Sequence, residues 1–233
     1  MKTLAIIPAR AGSKGVPGKN KMYFDGKPLV SYAIETAIQS KLITDIIVST
    51  DCPEVCKIVN EFDRVNLHKR DKNKSSDTSP IGETIVDILK TMDYEQDLVV
   101  LLQPTSPIRT GIQVDEAIRI IQDKTECNSV VSVIRMDDIH PARMYWMDSD
   151  HTKMDSILSD YETVRRQDIP PAFYRNGAIY IARAKNILEE CSMIISPTFG
   201  YEMNSQSWLN IDDKRDVIIA SSLLKAWKKG FLG

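Results

Sequence analysis

Between positions 10 and 20 the chain sets Arg10, Lys14 and Lys19 among Gly12, Gly15 and Gly18, with Ser13 and Asn20 beside them. Three cations and three glycines this close together suit one task, the cradling of a phosphate. Glycine lets backbone N–H groups approach an anion closely, and the fixed charges neutralise it. The plainer alternative is a solvated turn with incidental charges. Neither familiar phosphate loop fits the spacing. A Walker loop needs Gly-x-x-x-x-Gly-Lys-Ser/Thr, but counting from Gly12 its second glycine falls on Pro17, and Gly18-Lys19 continues with Asn20. The dinucleotide pattern Gly-x-Gly-x-x-Gly is absent, because these glycines recur at intervals of three.

Two more clusters carry chemistry. Gln103-Pro104-Thr105-Ser106-Pro107-Ile108-Arg109 offers a stiff loop with an amide that can both donate and accept. Read plainly, the prolines end a strand and Ser106 or Thr110 caps the next helix. Near the carboxy terminus, Asn210-Ile211-Asp212-Asp213-Lys214-Arg215-Asp216 gathers carboxylates that are equally at home in the first turn of a helix. His68, His140 and His151 lie near no nucleophile and read as surface or capping residues.

The elements around these clusters predict an α/β fold. Leu4 to Ile7 is a buried strand that runs into the glycine-lysine loop. Pro28 opens a helix through Ser40, Asp45 to Thr50 is a second buried strand, and Pro53 starts a helix through about Phe62. Residues 63 to 79 break the rhythm with Arg64, His68, Lys69, Arg70 and Lys72, a solvated loop or a second anionic contact. A helix follows from Ile81 to Met92, with Asp77 or Ser79 as its N-cap, then a strand from Asp97 to Gln103 and a helix from Gly111 to Asp123. Such alternation predicts a mostly parallel sheet with helices on both faces, and ligands gather outside the carboxyl ends of its strands. After the strand Asn128 to Arg135, residues 136 to 171 form an insertion with an aromatic patch at Tyr145 and Trp146 and a hairpin-like Asp148-Ser149-Asp150-His151. Asn176-Gly177 reads as a turn or bulge, and the last helix has Val217, Ile218, Leu223 and Leu224 on its apolar side.

Composition narrows the classes. At 233 residues and 42% hydrophobic content the chain can bury a sizeable core as one domain. A net charge of −2 with 27% charged residues gives no excess for nucleic acid or a membrane surface, so anion binding is local. Cys52, Cys56, Cys127 and Cys191 show no zinc-like pairing, and Cys52 and Cys56 read as small residues around a helix start. No repeat, signal peptide or membrane span is evident, and a cytoplasmic, reducing location is the expectation.

The opening loop resembles, almost letter for letter, the signature Ile-x-Ala-Arg-x-x-Ser-Lys-Gly-x-Pro-x-Lys-Asn of the CMP-sialic acid synthetases, the acylneuraminate or nonulosonic acid cytidylyltransferases. Gln103 to Arg109 resembles the second signature of the same family. The resemblance runs from Ile6 to Asp216 and implies a Rossmann-like nucleotide-diphospho-sugar transferase fold, a three-layer α/β sandwich over 1–233 with a dimerisation arm at about 136–171. It implies transfer of CMP from CTP to a nine-carbon 2-keto sugar acid, with Mg²⁺ as cofactor and a homodimer that exchanges arms. By the same resemblance Ala9, Arg10, Ser13, Lys14, Gly15, Lys19, Asn20, Arg70 and Asp77 contact the nucleotide, and Gln103, Arg143, Arg166, Asn176 and Tyr180 the sugar acid. Arg10, Lys19 and Asp212 would be catalytic, and Asp212 with Asn210 would hold the metal. Two departures stand out. Tyr174 occupies the usual arginine position, with Arg175 one place late, and Asn210 replaces the first aspartate of Asp-Ile-Asp. The rivals are the cytidylyltransferase for the eight-carbon 3-deoxy-manno-octulosonate, whose loop lacks the arrangement at Ser13 to Gly15, and a catalytically impaired nucleotide-binding protein, favoured only by Asn210.

Overall fold

The computed structural model describes residues 1–12, 15–70, 80–91, 95–137 and 139–232. The expectations for Ser13, Lys14, Asp77 and Ser79 lie outside the described residues. A seven-stranded sheet forms the centre, in the order β11-β7-β10-β6-β1-β4-β5. Its strands are β1 (Thr3–Pro8), β4 (Asp45–Thr50), β5 (Asn66–Lys69), β6 (Leu98–Leu101), β7 (Ser129–Met136), β10 (Ala172–Arg183) and β11 (Thr198–Met203). All neighbours pair in parallel except β10, which runs antiparallel to both β6 and β7. Two short ribbons stand apart, β2 (Tyr23–Phe24) with β3 (Lys27–Pro28), and β8 (Tyr145–Met147) with β9 (Met154–Ser156).

Alternation along β1 explains the layers. Ala5 and Ile7 face α1 (Leu29–Gln39), α2 (Pro53–Val59) and α4 (Gly111–Asp123), whereas Leu4 and Ile6 face α3 (Ile81–Thr91) and α5 (Ala184–Glu190). The strands are buried on both faces, so they read as continuous apolar runs. Helix α6 (Lys214–Lys228) closes a third cluster with Phe24, Leu29, Ile108 and Ile211. Thr110 caps α4 in a reciprocal capping box with Gln113, and Asp213 does the same for α6 with Asp216. Among the described residues no helix is long and apolar enough to cross a membrane.

Three expectations are corrected, and two elements are added. Residues 63 to 79 are not all loop: Asn66–Lys69 pairs in parallel with β4 as an edge strand, supported by backbone bonding where apolar alternation is lacking. Helix α2 ends at Val59, short of Phe62. Helix α5 and strand β11 lie in a stretch to which the sequence reading assigned no element. Ile218 is 73% exposed, and α6 turns Val217, Ala220, Leu224 and Trp227 inward instead.

Candidate active site

The parallel strands β1, β4, β5 and β6 end on one edge of the sheet, and the antiparallel β10 begins there. The site is built along that edge. Beyond β1, Thr50 Oγ1 donates to Ala9 O at 2.6 Å and Ala11 N donates to Asp51 Oδ1 at 2.7 Å, which fixes the root of the loop. Buried Asn20 donates to Arg10 O at 3.0 Å, and Gly18 turns the chain with φ +67°. Arg70 leaves β5 beside them, its Nε 3.3 Å from Ser49 Oγ. Burial pushes the Arg70 pKa down; the Asp51 carboxylate opposes that shift and nearby Arg10 adds to it. Arg10 and Arg70 thus lie close enough to feel each other's like charge, with the Asp51 carboxylate the stronger influence on Arg70.

The loop closes on the far end of the chain. Lys19 Nζ donates to Ile211 O at 2.7 Å and pairs with Asp212 Oδ1 at 3.2 Å. The backbones touch as well: a Cβ on Gly15 would fall 1.9 Å from Asp212 O, so only glycine fits. Asn210 donates its amide to Asp212 Oδ2, and its Oδ1 lies 3.3 Å from Ser106 Oγ as acceptor. Asp216 spends Oδ2 on the backbone N–H groups of Asp212 and Asp213, the capping role. The predicted trio of Lys19, Asn210 and Asp212 is thus assembled, with Asp212 65% exposed and Lys19 only 13%. Among the described residues no group of three His, Cys, Asp or Glu side chains could hold a metal ion.

A third part joins the loop after β6 to an irregularity in β10. Asn176 is buried, its Oδ1 accepting from Ser132 Oγ at 2.6 Å and its Nδ2 facing Met203 Sδ at 3.4 Å. Gly177, at φ +79°, lies under the loop; a Cβ there would meet Ser106 Oγ at 3.0 Å and Gln103 Oε1 at 3.3 Å. Gln103, Arg175 and Tyr180 line a cavity of about 280 Å³ whose apolar wall includes Leu101, Ile81 and Met193. Burial raises the Tyr180 pKa, and the charge on Arg175 counters that rise.

Two residues of the site carried no role in the sequence. Asp51 tethers the loop; its only signal was its place directly after a buried strand. Arg109 is 1% exposed, and its Nη1 donates to the carbonyls of Gln103, Ser106 and Ala178 at 2.8, 2.6 and 3.0 Å. It thereby staples the Gln103–Ser106 loop to β10. Burial, with no carboxylate partner among the described residues, pushes its pKa down to about 9.

Arg143 and Arg166 lie away from this constellation. They line a separate cavity of about 280 Å³ with Arg135 and His140 in the 137–171 arm. There the Arg143 guanidinium donates to the carbonyls of Tyr161, Glu162 and Val164, holding the arm's own turn together. The β8–β9 hairpin of that arm carries Tyr145, Trp146, Met147 and Met154 exposed, Trp146 by 69%.

A doubly wound sheet with a glycine-lysine loop and a stiff proline loop at its carboxyl edge is the frame of a nucleotide-handling enzyme. The chain belongs to the cytidylyltransferase family of nucleotidyltransferases, which matches residues 4–196. It is 35% identical, over 97% of both chains, to CMP-N,N'-diacetyllegionaminic acid synthase of Legionella pneumophila. It is 34% identical over 94% of its length to N-acylneuraminate cytidylyltransferase of Streptococcus agalactiae, of which it spans 52%. Among solved structures, a CMP:2-keto-3-deoxy-manno-octonic acid synthetase complexed with CTP superposes with a TM-score of 0.73 at 18% identity, covering 97% of this chain and 100% of that one.

Proposed function

We propose that the chain transfers CMP from CTP to the anomeric hydroxyl of a nine-carbon 2-keto sugar acid of the sialic, legionaminic or pseudaminic type. The anomeric oxygen attacks the α-phosphorus in line. The new O–P bond forms as the bond to the bridging oxygen breaks, pyrophosphate leaves with that electron pair, and the hydroxyl proton passes to solvent. Catalysis by positioning and charge neutralisation fits a site rich in arginine and lysine with no assigned general base. The observation that carries the reading is the clamp of Lys19 on Ile211 O and Asp212, which brings the glycine-lysine loop against a carboxylate beside the Gln103–Ser106 loop.

Arg10, Lys19 and Arg70, with Ala9, Gly15 and Asn20 shaping the loop, hold the nucleotide in this reading. Gln103 and Tyr180 line the sugar-acid cavity, and Asn176 fixes the bend in β10 beneath it. The residues suit Mg²⁺, which commonly takes one or two carboxylates together with substrate phosphates. Asp212 would offer an exposed carboxylate and Asn210 an amide oxygen, and the ion would supply neutralisation of charge on the phosphate oxygens. The exposed hairpin at Tyr145 to Met147 supports a homodimer in which the arm, with Arg166, reaches the neighbouring subunit's sugar acid. Free thiols at Cys52, Cys56, Cys127 and Cys191 support a cytoplasmic location.

The test is pyrophosphate release from CTP and Mg²⁺ with a panel of sialic, legionaminic, pseudaminic and 3-deoxy-manno-octulosonic acids. Turnover with a nine-carbon acid is the expected result. Preference for the eight-carbon acid, or CTP binding with no turnover on any acid, would overturn it.

A further inference from the structure

Tyr174 and Arg175 lie on opposite faces of the sheet, as consecutive strand residues must. Tyr174 turns to Trp208, ring centroids 5.1 Å apart, on the side of α1 and α4. Arg175 turns to the other side. It pairs across β7 with Val133, and Tyr180 pairs with Val131. Val131 and Val133 are two apart and share a face, so Arg175 and Tyr180 share one too, although five positions separate them. The irregularity at Asn176–Ile179 absorbs the three extra residues. An arginine displaced by one place from the usual register is thereby delivered into the cavity with Gln103 and Tyr180 instead of onto the Trp208 face.

Within that cavity Arg175 is the sole charged lining residue among those described. Its guanidinium makes no hydrogen bond or ion pair among the described residues. The rest of the wall is the Tyr180 phenol, the Gln103 amide, the Ser192 hydroxyl, the Cys191 thiol and apolar groups such as Leu101, Ile81 and Met193. A ligand that fits has one anionic group and, at a distance from it, apolar substituents. The triphosphate has its own cations at Arg10, Lys19 and Arg70, and Arg143 is bound to carbonyls within the arm.

We propose that Arg175 anchors the carboxylate of the sugar acid from within its own subunit, and so selects a 2-keto acid over a neutral sugar at this cavity. The inference rests on the proposed CMP transfer. The planar guanidinium bonds a carboxylate at two points, and a carboxylate has lone pairs for about four donors, so an arginine from a second subunit's arm can share it.

The experiment compares the native enzyme with Arg175→Met and Arg175→Lys, using the acid that turned over best in the panel. For Arg175→Met the KM for the acid should rise about 10–100-fold, the scale of one lost charge-assisted contact, while the KM for CTP stays within about twofold. Arg175→Lys should recover part of that loss. The carboxamide of the same acid should inhibit the native enzyme more weakly than the acid binds, yet bind Arg175→Met no worse than the acid does. Thermal unfolding of both variants should match the native enzyme, since the side chain is exposed at the cavity mouth. An unchanged KM for the acid in Arg175→Met overturns the anchor while leaving CMP transfer intact, and a rise in the KM for CTP instead reassigns Arg175 to the nucleotide. Failure of the native enzyme to turn over any acid overturns the transfer reading, and the anchor with it.

Discussion

Lys19 Nζ lies 3.2 Å from Asp212 Oδ1, a contact that spans 193 positions of sequence and sits where the amino-terminal loop meets the entry to the last helix. Replacing Lys19 by alanine removes a cation that the proposed reading aims at the triphosphate and unlatches the loop from Ile211. Turnover should fall by about a hundredfold or more, the size typical of one charge-stabilising contact in a transition state. Initial rates of pyrophosphate release at saturating CTP measure it, and a near-native rate would take Lys19 out of the machinery.

Asn210→Asp restores a second carboxylate beside Asp212 and removes the amide that now bonds it. Without metal, two adjacent carboxylates repel, so the metal-free variant should melt below the native chain. With Mg²⁺ the order reverses, and the concentration for half-maximal rate should drop by about tenfold or more, because ligand charge count tunes affinity for divalent cations. A Mg²⁺ titration followed by both melting and rate decides it. Identical titrations for the two proteins would remove position 210 from the metal site.

Arg109→Met leaves the carbonyls of Gln103, Ser106 and Ala178 without their shared donor. Buried groups left unpaired cost about 1–3 kcal/mol each, offset in part by removal of a buried charge that has no carboxylate partner among the described residues. The net loss should be about 2–4 kcal/mol, read from the urea midpoint. Substrate affinity should fall too, because the Gln103 loop is no longer stapled to β10. An unmoved midpoint would mean that the staple contributes nothing to folding.

Lys21 bonds Glu54 across the base of the loop at 2.6 Å. That hydrogen bond, the largest cause, holds the Glu54 carboxyl down to about 2, below its ordinary 4.5. In the pH interval between those values the unfolded chain binds a proton that the folded chain refuses. The contribution is therefore whole above about pH 4.5 and is lost as pH falls toward 2. Both side chains are exposed, so the effect is modest. Glu54→Gln should lose melting temperature less steeply than the native chain between pH 5 and pH 2. Parallel slopes would dismiss the pair.

Trp146→Glu places a charge on the exposed hairpin of the arm. If that hairpin seats on a second subunit, light scattering at micromolar concentration should report a dimer for the native chain and a monomer for the variant, with acid turnover lost alongside. A native monomer would end the arm-exchange reading.

The limits of sequence reading follow the physics of each element. Helix α4 was legible to the residue, because Thr110 and Gln113 cap it and its apolar residues recur at helical spacing. Strand β4 was equally plain as an unbroken apolar run between polar ends. Strand β5 was not, because Asn-Leu-His-Lys holds one apolar residue and owes its form to backbone pairing with β4. Helix α5, at seven residues, is too short to show a period. The phosphate-type loop was visible as composition, but its clamp on Asp212 was not, since no local pattern encodes a contact between chain ends. Arg109 read as one more polar residue of a loop; only the fold turns it inward.

The single antiparallel strand sets one further property of the molecule. Met136, the last residue of β7, and Ala172, the first of β10, are cross-strand partners, so the arm leaves and re-enters the sheet at neighbouring points about 5 Å apart. The described residues of that arm are in that sense a cassette clipped to one hairpin. Because Met136 and Ala172 already pair, a two-residue Asn-Gly turn is the shortest connection that suits this hairpin. The arm and the sheet beneath it are then separable parts, open to change one at a time.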